Sequence, residues 1–197
     1  MNTTTSDEQD QADMARLAAG HDAALDALMS RHGERLYHYL IRVLQDEAEA
    51  ADFAQESFTR IFQNRARFKP DRKFSTWLYT IATNLARDRL RWLARHQHVS
   101  LESKDDDDAG LKNILPANEP TPHQSLEAQE RAAAVRRALT DLPEELRVPL
   151  VLAEYEEQSY AEIAAVLDCS PKAVEMRLYR ARRQLRSSLA PLLSSAA

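Results

Sequence analysis

The chain has 197 residues, enough for one or two small domains, and a formal net charge of −5. Glycine occurs only at positions 20, 33 and 110, and Ala, Leu, Arg and Glu are abundant, a balance that points to an all-α protein without strands. The single cysteine, Cys169, excludes an intrachain disulfide and a multi-cysteine metal site. No apolar run approaches membrane-spanning length and the N-terminus is unlike a signal peptide, so a cytoplasmic protein with no membrane insertion is expected.

Residues 1–20 are polar, and residues 1–30 hold six acids and one arginine, so a disordered N-terminal tail is expected. A first helical domain is expected over 21–95. Leu25, Leu28, Met29, Leu36, Leu40, Ile41 and Leu44 mark one or two amphipathic helices, and Ala51, Ala54, Phe58, Ile61 and Phe62 mark another. A loop follows at Arg65–Lys73, with Pro70-Asp71 as its turn signal. Ser75 can cap the next helix, which runs to about Leu93. Its inner stripe is Trp77, Leu78, Ile81, Ala82 and Leu85, and its outer stripe is Thr76, Tyr79, Thr80, Thr83, Asn84 and Arg87. The loop adds Arg65, Arg67, Phe68, Lys69, Arg72, Lys73 and Phe74. Rings interleaved with cations suit single-stranded nucleic acid, because cations hold the backbone while rings stack on unpaired bases. Residues 60–95 carry ten basic residues against two acids.

Residues 96–128 read as a flexible acidic linker with prolines at 116, 120 and 122. The run Asp105–Asp108 lacks a fixed loop to converge it on a metal, so no metal or other cofactor is expected. A second helical domain is expected over 129–190, followed by a tail, 191–197. Val135, Leu139 and Leu142 lead to Pro143 and a helix carrying Leu146, Val148, Leu150, Val151 and Leu152.

Ser159–Arg186 then has the grammar of a helix-turn-helix. Ser159 and Glu162 form a capping-box pair before a helix over Tyr160–Leu167. Asp168, Cys169 and Ser170 make the turn, and Ser170 with Pro171 starts a second helix to about Leu189. Cys169 reads as a small turn residue or as a redox group. Val174, Leu178, Ala181 and Leu185 fall on one line of the second helix. Lys172, Glu175, Met176, Tyr179, Arg180 and Arg183 fall on the opposite one, the candidate for base edges in a major groove. Arg177, Arg182 and Arg186 flank it, placed for phosphates. From Ser170 onward there are six basic residues and one acid, in a chain whose total is acidic. A basic amphipathic helix that only caps a bundle is the plainer reading.

Four blocks together resemble one family. They are Asp52-Phe53-Ala54-Gln55-Glu56-Ser57-Phe58; Phe74-Ser75-Thr76-Trp77-Leu78-Tyr79-Thr80-Ile81-Ala82-Thr83-Asn84; Leu142–Arg147 with Ser159–Ala164; and Val174–Arg182. In this order and spacing they are similar to the extracytoplasmic-function (ECF) sigma factors, the compact specificity subunits of bacterial RNA polymerase. The resemblance implies a region 2 helical bundle and a region 4 helix-turn-helix. It implies core RNA polymerase as partner, through the clamp helices of its largest subunit and the flap of the second-largest, with promoter DNA and an anti-sigma factor as further partners. Asp52, Gln55 and Glu56 would bind the clamp helices, with Phe58 turned to the core. Arg67, Phe68, Lys73, Tyr79, Thr80, Thr83, Asn84 and Arg87 would serve the minus-ten element, where the loop Arg67–Phe74 captures a flipped base. Lys172, Glu175, Met176, Arg177, Tyr179, Arg180 and Arg183 would serve the minus-thirty-five element. Phe53, Glu175 and Met176 depart from the residues the family commonly has. Glu175 can accept from a cytosine amine or pair with Arg180 or Arg182.

The main alternative is a helix-turn-helix regulator that is not a polymerase subunit. It accounts for Ser159–Arg186 but not for Asp52–Glu56 or Arg67–Asn84. A nucleic-acid enzyme is a second alternative, though no phosphate loop or nucleophile–base pair is visible, and no enzymatic activity is expected.

Overall fold

A computed structural model describes residues 3–96 and 122–194. Its elements are α1 (Thr3–Ala18), α2 (Ala24–Leu44), α3 (Glu47–Gln63), one 3-10 turn (Arg65–Arg67), α4 (Phe74–His96), α5 (Pro122–Thr140), α6 (Glu144–Glu154), α7 (Tyr160–Val166) and α8 (Pro171–Ser194). The described residues form the expected all-α fold of two helical domains.

In the N-terminal domain α2 is the central helix, packed against α1, α3 and α4. Leu28, Leu36, Tyr39 and Leu40 on its inner side are fully buried. Each such aliphatic side chain contributes about 1.5–3 kcal/mol by leaving water. Asp46 caps α3 by accepting from the Glu49 amide at 2.8 Å, and α3 delivers Phe58 and Ile61 to the same core. Phe58 is therefore a core residue, as its position in the sequence suggested.

The segment expected to be a disordered tail is instead α1. Met14 and Leu17 are buried, which anchors one side of the helix. Its acids have partners: Arg31 Nε donates to Asp10 at 2.9 Å, Arg31 Nη2 donates to Asp13 at 2.6 Å, and His32 Nε2 lies 2.8 Å from Asp10. Acidic composition suggested disorder; specific pairing with α2 overrides it. Ser75 lies within the first turn of α4, which begins at Phe74, two residues earlier than a Ser75 cap would place it.

In the C-terminal domain α6 is central, with Leu146 through Leu152 all buried. α8 packs along α5, α6 and α7. The helix-turn-helix caps form as expected. Ser159 Oγ accepts from the Glu162 amide at 3.3 Å, while Glu162 accepts from the Ser159 amide at 2.8 Å. Ser170 Oγ accepts from the Ala173 amide at 3.2 Å. Asp168 takes the left-handed conformation, φ 49°, that the sharp turn between α7 and α8 requires. Residues 97–121, most of the expected linker and all of Asp105–Asp108, lie outside the described residues. The linker's expected last residues, 122–128, are already in α5, and α8 runs into the expected tail.

The two domains pack on each other: α4 lies against α7 and α6, and α2 against α6.

Candidate nucleic-acid interface

The outer face of α8 forms as the helical period predicts. Val174, Leu178 and Ala181 are fully buried, and Leu185 is half-buried. On the other side Lys172, Glu175, Met176, Tyr179, Arg180 and Arg183 are all exposed, Tyr179 at 61 %. Arg180 and Arg183 carry five N–H donors each and face solvent, ready for base edges or phosphates. Glu175 accepts from Lys172 Nζ at 2.8 Å, a partner other than the Arg180 or Arg182 that stood as one of its two alternatives. Arg182 is held by Glu154 at 2.7 Å, and Arg177 reaches back to Cys169 Sγ at 3.7 Å. Those two arginines thus lean toward their own domain.

The polar face of α4 is different. Asn84 is exposed, Thr80 and Arg87 are partly so, and Arg67 on the preceding turn is exposed. Thr76, Tyr79 and Thr83, predicted on the outer stripe, are buried. Thr83 lies 2.6 Å from the Tyr39 hydroxyl inside the N-terminal core, so it is a packing residue. Tyr79 stands edge-on to Tyr39 at 5.1 Å and donates to Glu156 of the C-terminal domain at 2.5 Å. Burial, then the Glu156 charge, pushes the Tyr79 phenol well above its usual range. It is a neutral donor at any physiological pH.

Beside these residues lies a cavity of about 190 Å³ lined by Arg67, Phe68, Lys69, Arg72, Thr76, Trp77, Thr80 and Ala165. Its aromatic floor is built locally: Phe68 sits 5.4 Å from the Trp77 ring and 6.4 Å from Phe74. α1 steadies the loop above it, as Gln11 Nε2 donates to the Pro70 carbonyl at 3.1 Å and Asp7 pairs with Lys73 at 3.2 Å.

Acids of the C-terminal domain face this strip, a pairing that the spacing does not predict. Glu162 pairs with Lys73 at 3.0 Å, and Glu144 lies 2.5 Å from Arg87 Nε, close in distance though the N–H is not aligned to it. Arg35 Nε donates to Glu156 at 3.4 Å, and Arg42 stacks over the Tyr155 ring at 4.2 Å. Burial pushes the Glu162 carboxyl up, but the Ser159 hydroxyl and amide and the Lys73 ammonium more than offset it and hold it below the usual carboxylate range. Lys73 is correspondingly raised, chiefly by Glu162. A helical period could not have exposed these pairs, because each joins residues far apart in the chain.

Asp52 and Gln55 are exposed on α3 and Glu56 is partly so, on the side away from the core. Glu56 accepts from Arg60 at 2.8 Å. Among the described residues, no group of His, Cys, Asp and Glu is placed to hold a metal, and no helix is long and apolar enough to cross a membrane.

Residues 28–96 match the family model for Sigma-70 region 2, and residues 132–185 match that for Sigma-70, region 4. The RNA polymerase sigma-H factor of Pseudomonas aeruginosa is 34 % identical over 194 residues, covering 96 % of this chain and 98 % of that protein. The ECF RNA polymerase sigma factor SigW of Bacillus subtilis is 31 % identical over 173 residues, covering 88 % and 92 %. Among solved structures, CnrH in complex with the cytosolic domain of CnrY superposes with a TM-score of 0.67 at 28 % identity, covering 96 % of this chain and 99 % of that one. The sigma factor RpoE in complex with the anti-sigma factor NepR from Bartonella quintana shares the fold, with a TM-score of 0.62 at 21 % identity over 84 % of this chain and 96 % of that one. With its region 2 cavity and its open region 4 helix, the chain belongs to the ECF sigma factors, which direct RNA polymerase to promoters.

Proposed function

We propose that this sigma factor grips a promoter at two points while bound to core polymerase in the cytoplasm, and performs no covalent chemistry itself. The carrying observation is the aromatic and cationic cavity at Arg67–Thr80, beside an α4 face that ends in exposed Asn84. Extruding a base costs a few kcal/mol. Stacking on Phe68 or Trp77 returns about 1–3 kcal/mol per base, and Arg67, Lys69 and Arg72 hold the backbone. Arg67, Phe68, Lys73, Thr80, Asn84 and Arg87 serve the minus-ten strand in this reading; Tyr79 does so only once Glu156 has withdrawn.

The open face of α8 reads the minus-thirty-five duplex through Lys172, Glu175, Met176, Tyr179, Arg180 and Arg183, with Arg177 at its edge. Asp52, Gln55 and Glu56 bind the polymerase clamp helices, and the C-terminal domain meets the flap. CnrH is solved with a second protein on it, and an anti-sigma factor held on this chain belongs to the same proposal. Transcription by core polymerase on a promoter library, with reads at both elements, tests the reading. Two conserved elements at fixed separation are expected. Arg180→Ala should then cost about 1–3 kcal/mol of discrimination at one minus-thirty-five position. Selection at the upstream element alone would instead favour an ordinary helix-turn-helix regulator.

A further inference from the structure

We infer that the acidic side of the C-terminal domain is a docking surface for this chain's own minus-ten face, so that the free protein is closed and competes internally with single-stranded DNA. The inference rests on the minus-ten assignment above.

Three carboxylates from three places make the surface: Glu144 in the first turn of α6, Glu156 in the turn after α6, and Glu162 in the first turn of α7. They meet Arg87, Tyr79 with Arg35, and Lys73, in that order. Lys73 and Arg87 bracket the polar strip of α4, about 21 Å apart at the rise of a helix. The three acids thus lie where a strand's phosphates would lie, and their oxygens accept the same kinds of charge-assisted bond. The covering extends to the cavity, because Ala165 of α7 forms part of its wall.

Glu156 is the central member. Its side chain is 3 % exposed, although it sits in a short turn between α6 and α7. A carboxylate is driven from water only where donors replace its hydration. Here both donors to its carboxylate, Tyr79 and Arg35, come from the other domain. The flanking pairs are more exposed: Lys73 and Glu162 are 46 % and 21 % exposed. They are accordingly weaker and yield to salt. An interface of one buried polar contact and several screened pairs is the kind a large partner such as polymerase can open.

The test places spin labels at exposed Ser30→Cys on α2 and Ser187→Cys on α8, in a Cys169→Ser background, and measures their separation in the full-length free chain. The parent should give one narrow, short distance. Glu156→Lys should give a longer and broader distribution, and Glu156→Gln, which keeps the shape, a partial shift toward it. Exposed Glu145→Lys, matched in charge and outside these contacts, should resemble the parent. A single-stranded minus-ten oligonucleotide should bind Glu156→Lys about tenfold more tightly than Glu145→Lys, since the closed state withholds the competent one. Unchanged distances in both Glu156 variants would overturn the closed latch whatever the promoter reading. Opened distances without gain in oligonucleotide binding would overturn the competition and place the fault in the minus-ten assignment.

Discussion

Two faces of this chain suit nucleic acid, and they differ in what covers them. On α8, Tyr179 is 61 % exposed, with Arg180 and Arg183 beside it in solvent. On α4, the corresponding tyrosine, Tyr79, is 4 % exposed and bonded to a glutamate 77 residues away. The α8 face belongs to a helix whose inner side packs on α5, α6 and α7 of its own domain. The α4 face is also an interdomain surface. The same residue types, an aromatic ring edged with basic groups, can therefore be an open reader in one place and a folded-in contact in another. In the two-point grip proposed above, duplex DNA would approach the first at once, whereas the second would need the domains to part, which fits an element whose task begins only when strands separate.

The largest expected effect attacks what both faces share. Leu178 is fully buried at the centre of α8, under the open face and in the domain that covers α4. Leu178→Ala should cost about 2–5 kcal/mol by lost burial and the cavity left behind. Urea unfolding followed by circular dichroism measures it. A loss below about 1 kcal/mol would mean that the C-terminal domain is held mainly by its contacts with the other domain, which would undo the contrast between a self-contained face and a shared one.

Next in size is a change that loosens only the covered side. Asp10 is 1 % exposed and bonds Arg31 and His32, so Asp10→Ala leaves two partly buried donors short of their acceptor. A loss of about 1–3 kcal/mol follows. Because α1 also holds the loop through Gln11 and Asp7, hydrogen exchange should rise over residues 65–73 and stay unchanged over α8. Equal exchange in both regions would show that α1 gives the cavity no support.

α1, where a tail is expected, shows where local reading stops. Its apolar anchors are few, Met14 and Leu17, and six acids in the first thirty residues resemble a solvated segment. What turns two of those acids into structure is Arg31 and His32, some twenty residues on, and spacing within α1 cannot reveal them. The helix-turn-helix was legible for the opposite reason. Its caps bond within three residues, Ser159 with Glu162 and Ser170 with Ala173, and its core line Val174, Leu178, Ala181 repeats along one helix. α4 falls between. Leu78, Ala82 and Leu85 are inner, as the helical period predicts. Thr76, Tyr79 and Thr83 depart from the predicted outer stripe because a helix buried on more than one side has a wider buried arc than one stripe. One or two helices are expected over Leu25–Leu44, and a single helix, α2, runs through Gly33 there.

A smaller effect comes with acid. The Glu162 carboxyl is held below its ordinary value of 4.5 by Ser159 and Lys73, against the upward push of burial. A depressed folded-state pKa gives stability that is complete above the unfolded value and lost as pH falls through the folded one. The α7 cap and the Lys73 contact should thus both be intact at neutral pH and weaken together below about pH 4.5, with about 1 kcal/mol at stake for the cap alone. Glu162→Gln should flatten that part of the stability–pH curve. An unaltered curve would place the acid sensitivity elsewhere, and the Lys73 side of the covered face would lose its claim to a charged latch.

The smallest expected change is also the most informative about the open face. Glu175 and Lys172 are 52 % and 73 % exposed, so their 2.8 Å pair is worth about 0.2–0.5 kcal/mol. Glu175→Ala should therefore leave stability almost untouched. Promoter preference can then be compared without a folding correction. If Glu175 serves only to restrain Lys172, its removal frees a cation and tightens binding to every sequence alike, with a steeper salt dependence. If it accepts from a cytosine amine, binding weakens by about 1–3 kcal/mol at one base position and nowhere else. The Lys172 pair favours the uniform result, because an acid already satisfied by a neighbouring ammonium gains less from a base amine than a free one would. A position-specific loss would mean that Lys172 swings to a phosphate on binding, and that the open face rearranges as the covered one must.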